Sequence, residues 1–231
     1  MIQLSNNGRV QDARPNSFVY ASLMEAWAES RKEDSYKQAL KLMNRMEGLV
    51  LEGNTKMAPN LIIYNTLIKV IEKCPGVLDK VVKARGVLHD MMTKATGEIR
   101  PNTRSFNAVL LACGASVEAR GREAVHGVDM TLTELRQDPT LSNDAYTYPA
   151  VFKAYAKFRN VVPRELVERA FHWCCEDRCM DSLTLKHLKN ATTLDHLQRL
   201  LGMEDVSKCT LHQLPRRWRP RRRARTGKGK R

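Results

Sequence analysis

A unit of about 42 residues recurs along this chain, and a recurrence of that length constrains the fold more than any other feature of the sequence. The dipeptides Pro15-Asn16, Pro59-Asn60 and Pro101-Asn102 return at steps of 44 and 42 residues, and Asn143-Asp144 stands 42 residues further on. A related segment follows each one: SFVYASLMEAWAES from Ser17, LIIYNTLIKVIEKC from Leu61, TRSFNAVLLACGAS from Thr103 and AYTYPAVFKAYAKF from Ala145. Aligned on these starts, the fourth position reads Tyr20, Tyr64, Phe106, Tyr148, the seventh Leu23, Leu67, Val109, Val151, and the eighth Met24, Ile68, Leu110, Phe152. The tenth is small or apolar throughout: Ala26, Val70, Ala112, Ala154. Spacings of three and four put these columns on one helical face, the face that packs inward. The Asn or Asp before each segment suits an N-cap, because its side chain accepts from an orphan backbone N–H.

A second helical pattern follows within each unit, over Tyr36–Met46, Leu78–Met92 and Arg164–Cys175. The third copy, Glu123–Leu135, is expected to be weaker, because Gly127 interrupts it. Polar stretches such as Ala28–Asp34 and the turn at Pro75-Gly76 separate the paired helices. Each unit therefore reads as helix–turn–helix and cannot bury its apolar face alone, so neighbours must stack. The expected fold is all-α: tandem hairpins stacked as a right-handed solenoid, with the first helices lining the concave face. Its divisions are 1–16 as a preceding repeat's end or an N-terminal cap, then repeats over 17–60, 61–102, 103–144 and 145–181. Capping helices follow over 182–214, and a disordered basic tail over 215–231.

Charge is concentrated at that end. The net charge is +14, and residues 216–231 hold ten Lys or Arg and no acid, which leaves +4 for residues 1–215. Such a run attracts any polyanion without identifying it. Arg216, Arg217, Arg219, Arg221, Arg222, Arg223 and Arg225 are its candidate phosphate contacts. Six cysteines at irregular intervals, with no Cys-x-x-Cys pair, argue against a disulfide framework. His172, Cys175 and Cys179 have helical spacing, but no second ligand pair matches them, so they read as packing residues and no metal or cofactor is expected. No apolar run approaches the roughly 18 residues a membrane helix needs, and the first residues have no secretory core. Walker A, HExxH, nucleophile-elbow, deaminase-like and clustered-aspartate nuclease patterns do not occur, so no catalytic residue is expected.

The motif Pro-Asn-x-x-x-Tyr-Asn-x-Leu-Ile, seen in APNLIIYNTLIKV and nearly repeated in RPNTRSFNAVLLAC, resembles the pentatricopeptide repeat family. The resemblance spans residues 14–180, with units longer than the family's usual length. It implies that the chain binds single-stranded RNA, one base per repeat. The base is selected by the fifth residue of a repeat together with its last, and second-position residues stack on the base's flanks. On this chain the fifth positions are Ala21, Asn65, Asn107 and Pro149. The last positions are Asn60, Asn102 and Asp144, and the second positions Phe18, Ile62, Arg104 and Tyr146. The resemblance implies a pyrimidine for Asn65 with Asn102 and uracil for Asn107 with Asp144, while Ala21 and Pro149 have no side chain with which to choose.

Asn60, Asn102 and Asp144 also suit simple capping, and the fourth-position tyrosines suit the core. Asn65 and Asn107 are harder to assign to surface filling, because Asn disfavours helix interiors. The resemblance further implies action in organellar RNA processing, stability or translation, in a mitochondrion or chloroplast, alongside RNA-processing or ribosomal proteins. Two alternatives stand beside it. A tetratricopeptide-like protein-interaction scaffold shares the hairpin plan, but its 34-residue period and Trp-x-x-Leu-Gly-x-x-Tyr signature are missing. The chain also reads as a piece of a larger RNA-processing protein, since GRVQDARPN resembles the trailing end of a preceding repeat.

Overall fold

The computed structural model describes residues 16–94 and 99–220, and among them there are ten α-helices and no strand. In chain order these are α1 (Ser17–Ser30), α2 (Ser35–Leu51), α3 (Leu61–Lys73), α4 (Lys80–Thr93), α5 (Thr103–Gly114) and α6 (Gly121–Gln137). Then come α7 (Thr147–Lys157), α8 (Arg164–Glu176), α9 (Ser182–Ala191) and α10 (Leu194–Leu201). The starts follow from the caps. Asn16 accepts from Val19 N at 3.1 Å, Asn60 from Ile62 N and Ile63 N at 3.1 and 3.2 Å, and Asn102 from Ser105 N at 3.1 Å. Asp181 does the same for α9, from Thr184 N at 2.7 Å, so the C-terminal pair begins with the same device as the repeats.

The first helices α1, α3, α5, α7 and α9 pack one upon the next in a continuous layer. The second helices lie outside it, each against its own partner and more sparsely against one another. The inner layer is apolar: Tyr20, Tyr64, Phe106 and Tyr148 are all buried, as are the eighth-position Met24, Ile68, Leu110 and Phe152. Full burial of such a side chain stabilises by roughly 1.5–3 kcal/mol. Leu23 and Ala26 depart from their columns and are exposed. The other units' seventh and tenth residues lie between two first helices, whereas α1 has one only on the α3 side among the described residues.

Ion pairs link the outer layer instead. Lys94 of the second unit reaches Glu47 at 3.9 Å, Arg85 meets Glu134 at 2.7 Å, Arg136 meets Asp177 at 2.5 Å, and Arg169 pairs with Asp129. Pairs of this partly exposed kind contribute at most about 1 kcal/mol each, so apolar packing of the first helices dominates cohesion.

Two local features depart from the sequence reading. Gly127 does not weaken α6, which runs unbroken. A Cβ there would lie 2.5 Å from Val81 Cγ1 and 3.1 Å from Cys113 Sγ, so the glycine lets α6 seat against α4 and α5. Secondly, residues 215–220, the first part of the segment expected to lose structure, take a defined conformation, and 221–231 lie outside the described residues. Arg216–Trp218 forms a short 3-10 turn. Trp218 meets Phe171 edge-to-face at 5.5 Å, and its carbonyl accepts from Met180 N at 3.0 Å. An aromatic residue within the basic run thus anchors its beginning to α8, an outcome that charge counting alone does not foresee.

Candidate nucleic-acid interface

The second-position residues stand at the first turn of α1, α3 and α5 and at the cap of α7, all pointing away from the core. Phe18 and Tyr146 are each 75% exposed and Ile62 is 62% exposed, and Arg104 is exposed as well. Between α1 and α3 lies a cleft of about 290 Å³, lined by Phe18, Ala21, Ser22, Glu25, Asn60 and Ile62 among others. Second-position residues of adjacent units, the fifth residue of the first and the last residue between them thus come together in one depression.

The fifth positions differ among themselves. Ala21 is half-buried and supplies only a methyl group, and Pro149 is buried in the first turn of α7, where its missing N–H is tolerated. Asn65 is half-buried, and its Oδ1 is a buried acceptor without a hydrogen-bond partner. Asn107 is buried, only 6% exposed, and both ends of its amide are engaged. Its Nδ2 donates to Asp144 Oδ1 at 2.9 Å, and its Oδ1 accepts from the Thr147 hydroxyl at 2.9 Å. The fifth and last residues of the third unit are therefore in direct contact. The difficulty of placing an Asn inside α5 has a structural answer: the amide braces the third unit against the fourth.

Asn60 and Asn102 are the N-caps of α3 and α5, while Asp144 lies two residues before the Tyr146 cap of α7 and bonds to the backbone there. Asp144 Oδ1 accepts from Tyr146 N at 2.9 Å and from Thr147 N at 3.2 Å besides Asn107. Asn102 belongs to a capping box with Ser105, whose hydroxyl in turn accepts from Asn102 N at 3.2 Å. Hydrogen bonding at the caps does not consume every polar group, since a capping Asn keeps its amide N–H₂ free of the cap itself.

Charged residues that the motif alignment did not single out lie beside the cleft. Glu25 and Glu29 occupy the ninth and thirteenth positions of the first unit, and Lys69 and Lys73 those of the second, 44 residues on. Lys69 pairs with Glu25 and lies 2.9 Å from Glu29, while Lys73 lies 2.5 Å from Glu29. Hydrogen bonds from Lys73 and then Lys69 hold the Glu29 carboxyl down at about 2. The Lys69 ammonium is held above its usual range, chiefly by Glu25. Lys157, at the thirteenth position of the fourth unit, reaches back in the same way and donates to Gly114 O at 3.2 Å and Ser116 O at 2.5 Å. Carrying the alignment to these two columns would have exposed the pattern.

A related lysine is hidden altogether. Lys80 is buried at the start of α4, where its ammonium donates to Ile71 O at 2.8 Å, Glu72 O at 2.5 Å and Cys74 O at 2.8 Å. It closes the carbonyl end of α3, where a cation also opposes the helix dipole, and burial lowers its pKa.

The basic residues of the C-terminal run separate into groups. Arg216 and Arg217 are exposed on the 3-10 turn. Arg219 is half-buried and donates to Leu214 O at 2.6 Å and His212 O at 3.3 Å, so it holds the turn closed. Arg221, Arg222, Arg223 and Arg225 lie outside the described residues. Around the His172 spacing, burial raises the Cys175 thiol to about 12 and the Cys179 thiol to about 11. Among the described residues no group of three or more His, Cys, Asp or Glu is arranged to hold a metal ion, and no helix is long and apolar enough to cross a membrane.

Comparison with known proteins adds one match. Residues 4–73 fit the family model described as the pentatricopeptide repeat domain. No curated protein and no solved structure matches the chain. The matched span covers the first unit and the first helix of the second, including Phe18, Asn60, Ile62 and Asn65. Residues 4–73 are thus similar to the pentatricopeptide repeat domain, within a chain whose described residues are built from helices and hold no strand.

Proposed function

We propose that the chain binds single-stranded RNA along the outward face of its first helices, with bases entering between adjacent units. The observation that carries this reading is the cleft between α1 and α3, where Phe18 and Ile62 flank an opening bordered by Ala21 and Asn60. An exposed aromatic ring offers any base a stacking surface, worth about 1–3 kcal/mol per base. At the small end of the size range for ligand clefts, the opening suits a planar heterocycle better than a folded partner. Asn65, with an acceptor that no protein group satisfies, is the base-selecting residue most ready to act, with Asn102 as its partner from the end of the unit. Asn107 and Asp144 form the corresponding pair in the third unit, already joined to each other. Arg104 and Tyr146 extend the stacking stripe, and the basic C-terminal residues add phosphate contacts that carry no sequence information. The unit boundaries at residues 60, 102, 144 and 181 follow the same register.

In this reading the protein acts by occupying a short single-stranded site, as an adaptor and not as a catalyst, on transcripts of a mitochondrion or chloroplast. The test is a binding titration with short oligoribonucleotides. Phe18→Ala should weaken binding about tenfold or more without lowering thermal stability, since the ring is exposed. Equal binding by the variant and the parent chain would refute the assignment of the cleft.

A further inference from the structure

The face that would hold RNA is electrostatically uneven, and the unevenness sits beside its cleft. Lys69 and Lys73 lie on α3 below Ile62 and Asn65, where ammonium groups would ordinarily attract the phosphates of a strand whose bases enter between the units. Both are instead engaged by Glu25 and Glu29 of α1. The four groups sum to zero charge. Exposed ion pairs are individually weak, so opening one costs at most about 1 kcal/mol. Opening does not remove the carboxylates, however. They stay on the adjacent helix, well within the screening length of about 8–10 Å, and cancel the attraction a phosphate would feel. Glu25 also lines the cleft itself.

Resting on the RNA-binding reading of this face, we infer that Glu25 and Glu29 silence Lys69 and Lys73 as phosphate contacts. The first cleft then takes a base while contributing no phosphate-neutralising charge. Sequence-independent affinity comes from elsewhere on the chain, and this part of the face is kept selective.

The test uses the full chain and a short oligouridylate, with the affinity measured across a range of salt concentrations. The contribution of the C-terminal residues is common to every variant and drops out of the differences. The double variant Glu25→Gln/Glu29→Gln frees two lysines and should steepen the dependence of log K on log salt by about 1.4, at roughly 0.7 per phosphate contact on a single strand. A fourfold reduction in salt should then strengthen its binding about sevenfold more than that of the parent chain. Lys69→Ala/Lys73→Ala in the double-Gln background, which returns the cluster to zero charge, should abolish the gain and restore the parent slope. If the double-Gln protein fails to fold, Glu25→Gln alone, which keeps the Lys73–Glu29 pair, carries the test with about half the slope change. The inference is overturned if freeing the lysines leaves the slope unchanged, or if the gain survives their removal from the double-Gln background. Parent binding with unchanged slopes defeats this inference alone. Absence of binding by every protein at low salt defeats the RNA-binding reading as well.

Discussion

The second and third units carry asparagine at the same repeat position, yet the two side chains live in opposite circumstances. Asn107 is buried with its amide bonded at both ends, to Asp144 and Thr147, whereas Asn65 is half-buried with an acceptor left over. The difference arises in the unit that follows each one. Thr147 and Ser105 hold the same third position and bond in the same way to Asp144 and Asn102, but Thr147 also donates to Asn107 Oδ1 and Asp144 also accepts from Asn107 Nδ2, whereas Asn65 Oδ1 has no such partner. A repeat position thus fixes where a side chain stands and leaves its chemistry to the neighbouring unit. In the third unit the asparagine joins two units, and in the second it keeps a buried acceptor without a protein partner.

Substitution at the two sites should separate these roles, with the largest effect at Asn107. Asn107→Ala removes two hydrogen bonds and leaves Asp144 and Thr147 to find others, so urea denaturation should show a loss of about 1–3 kcal/mol. Asn65→Ala should change stability by no more than about 0.5 kcal/mol, because it deletes an acceptor that has no partner. If both substitutions destabilise equally, the contrast between the units fails. Thr147→Val sharpens the comparison: it should cost about 1 kcal/mol by leaving the Asn107 carbonyl oxygen unsatisfied, turning the third unit's asparagine toward the condition of the second's.

The C-terminal run allows a similar separation. Removal of residues 221–231, which hold seven Lys or Arg, should lower affinity for all RNAs alike and flatten the salt dependence without altering base preference. Removal from residue 216 onward should in addition destabilise the α8 end, because it strips Trp218 from Phe171. Equal melting temperatures for the two truncations would contradict that docking.

The smallest expected effect is on pH dependence. Glu29 is held at about 2 against an ordinary 4.5, so its pairing contributes stability above pH 4.5 that is lost as pH falls toward 2. Glu29→Gln should therefore reduce the loss of stability in that acid window while leaving the region from pH 5 to 8 flat. A wild-type and variant difference that changes between pH 5 and 8 would point to another group.

The layered fold was legible because its determinants are local. Each N-cap and each Tyr-x-x-Leu or equivalent column can be read within a dozen residues, and four copies reinforce one another. Second-position exposure at Phe18, Ile62, Arg104 and Tyr146 was legible for the same reason: the helical period places those residues opposite the core. Contacts made between units were not. Thr147 locking Asn107, Lys80 closing α3, and the Glu25–Lys69 pairing all depend on how one hairpin seats on the next, and no single unit's pattern encodes that. Gly127 illustrates the limit most directly. Propensity marks it as a break in α6, but the approach of Val81 and Cys113 makes it a packing requirement.

The proposal that Asn65 reads a base while Asn107 braces the stack is tested most directly by selecting RNA from a randomised pool with the parent chain and with Asn65→Ala. Sequencing of the bound fractions should show a base preference that Asn65→Ala loses at one position and keeps at the others, with the variant's melting temperature unchanged. Identical preferences from the two proteins, or a variant that loses selectivity at every position while still folded, would contradict it.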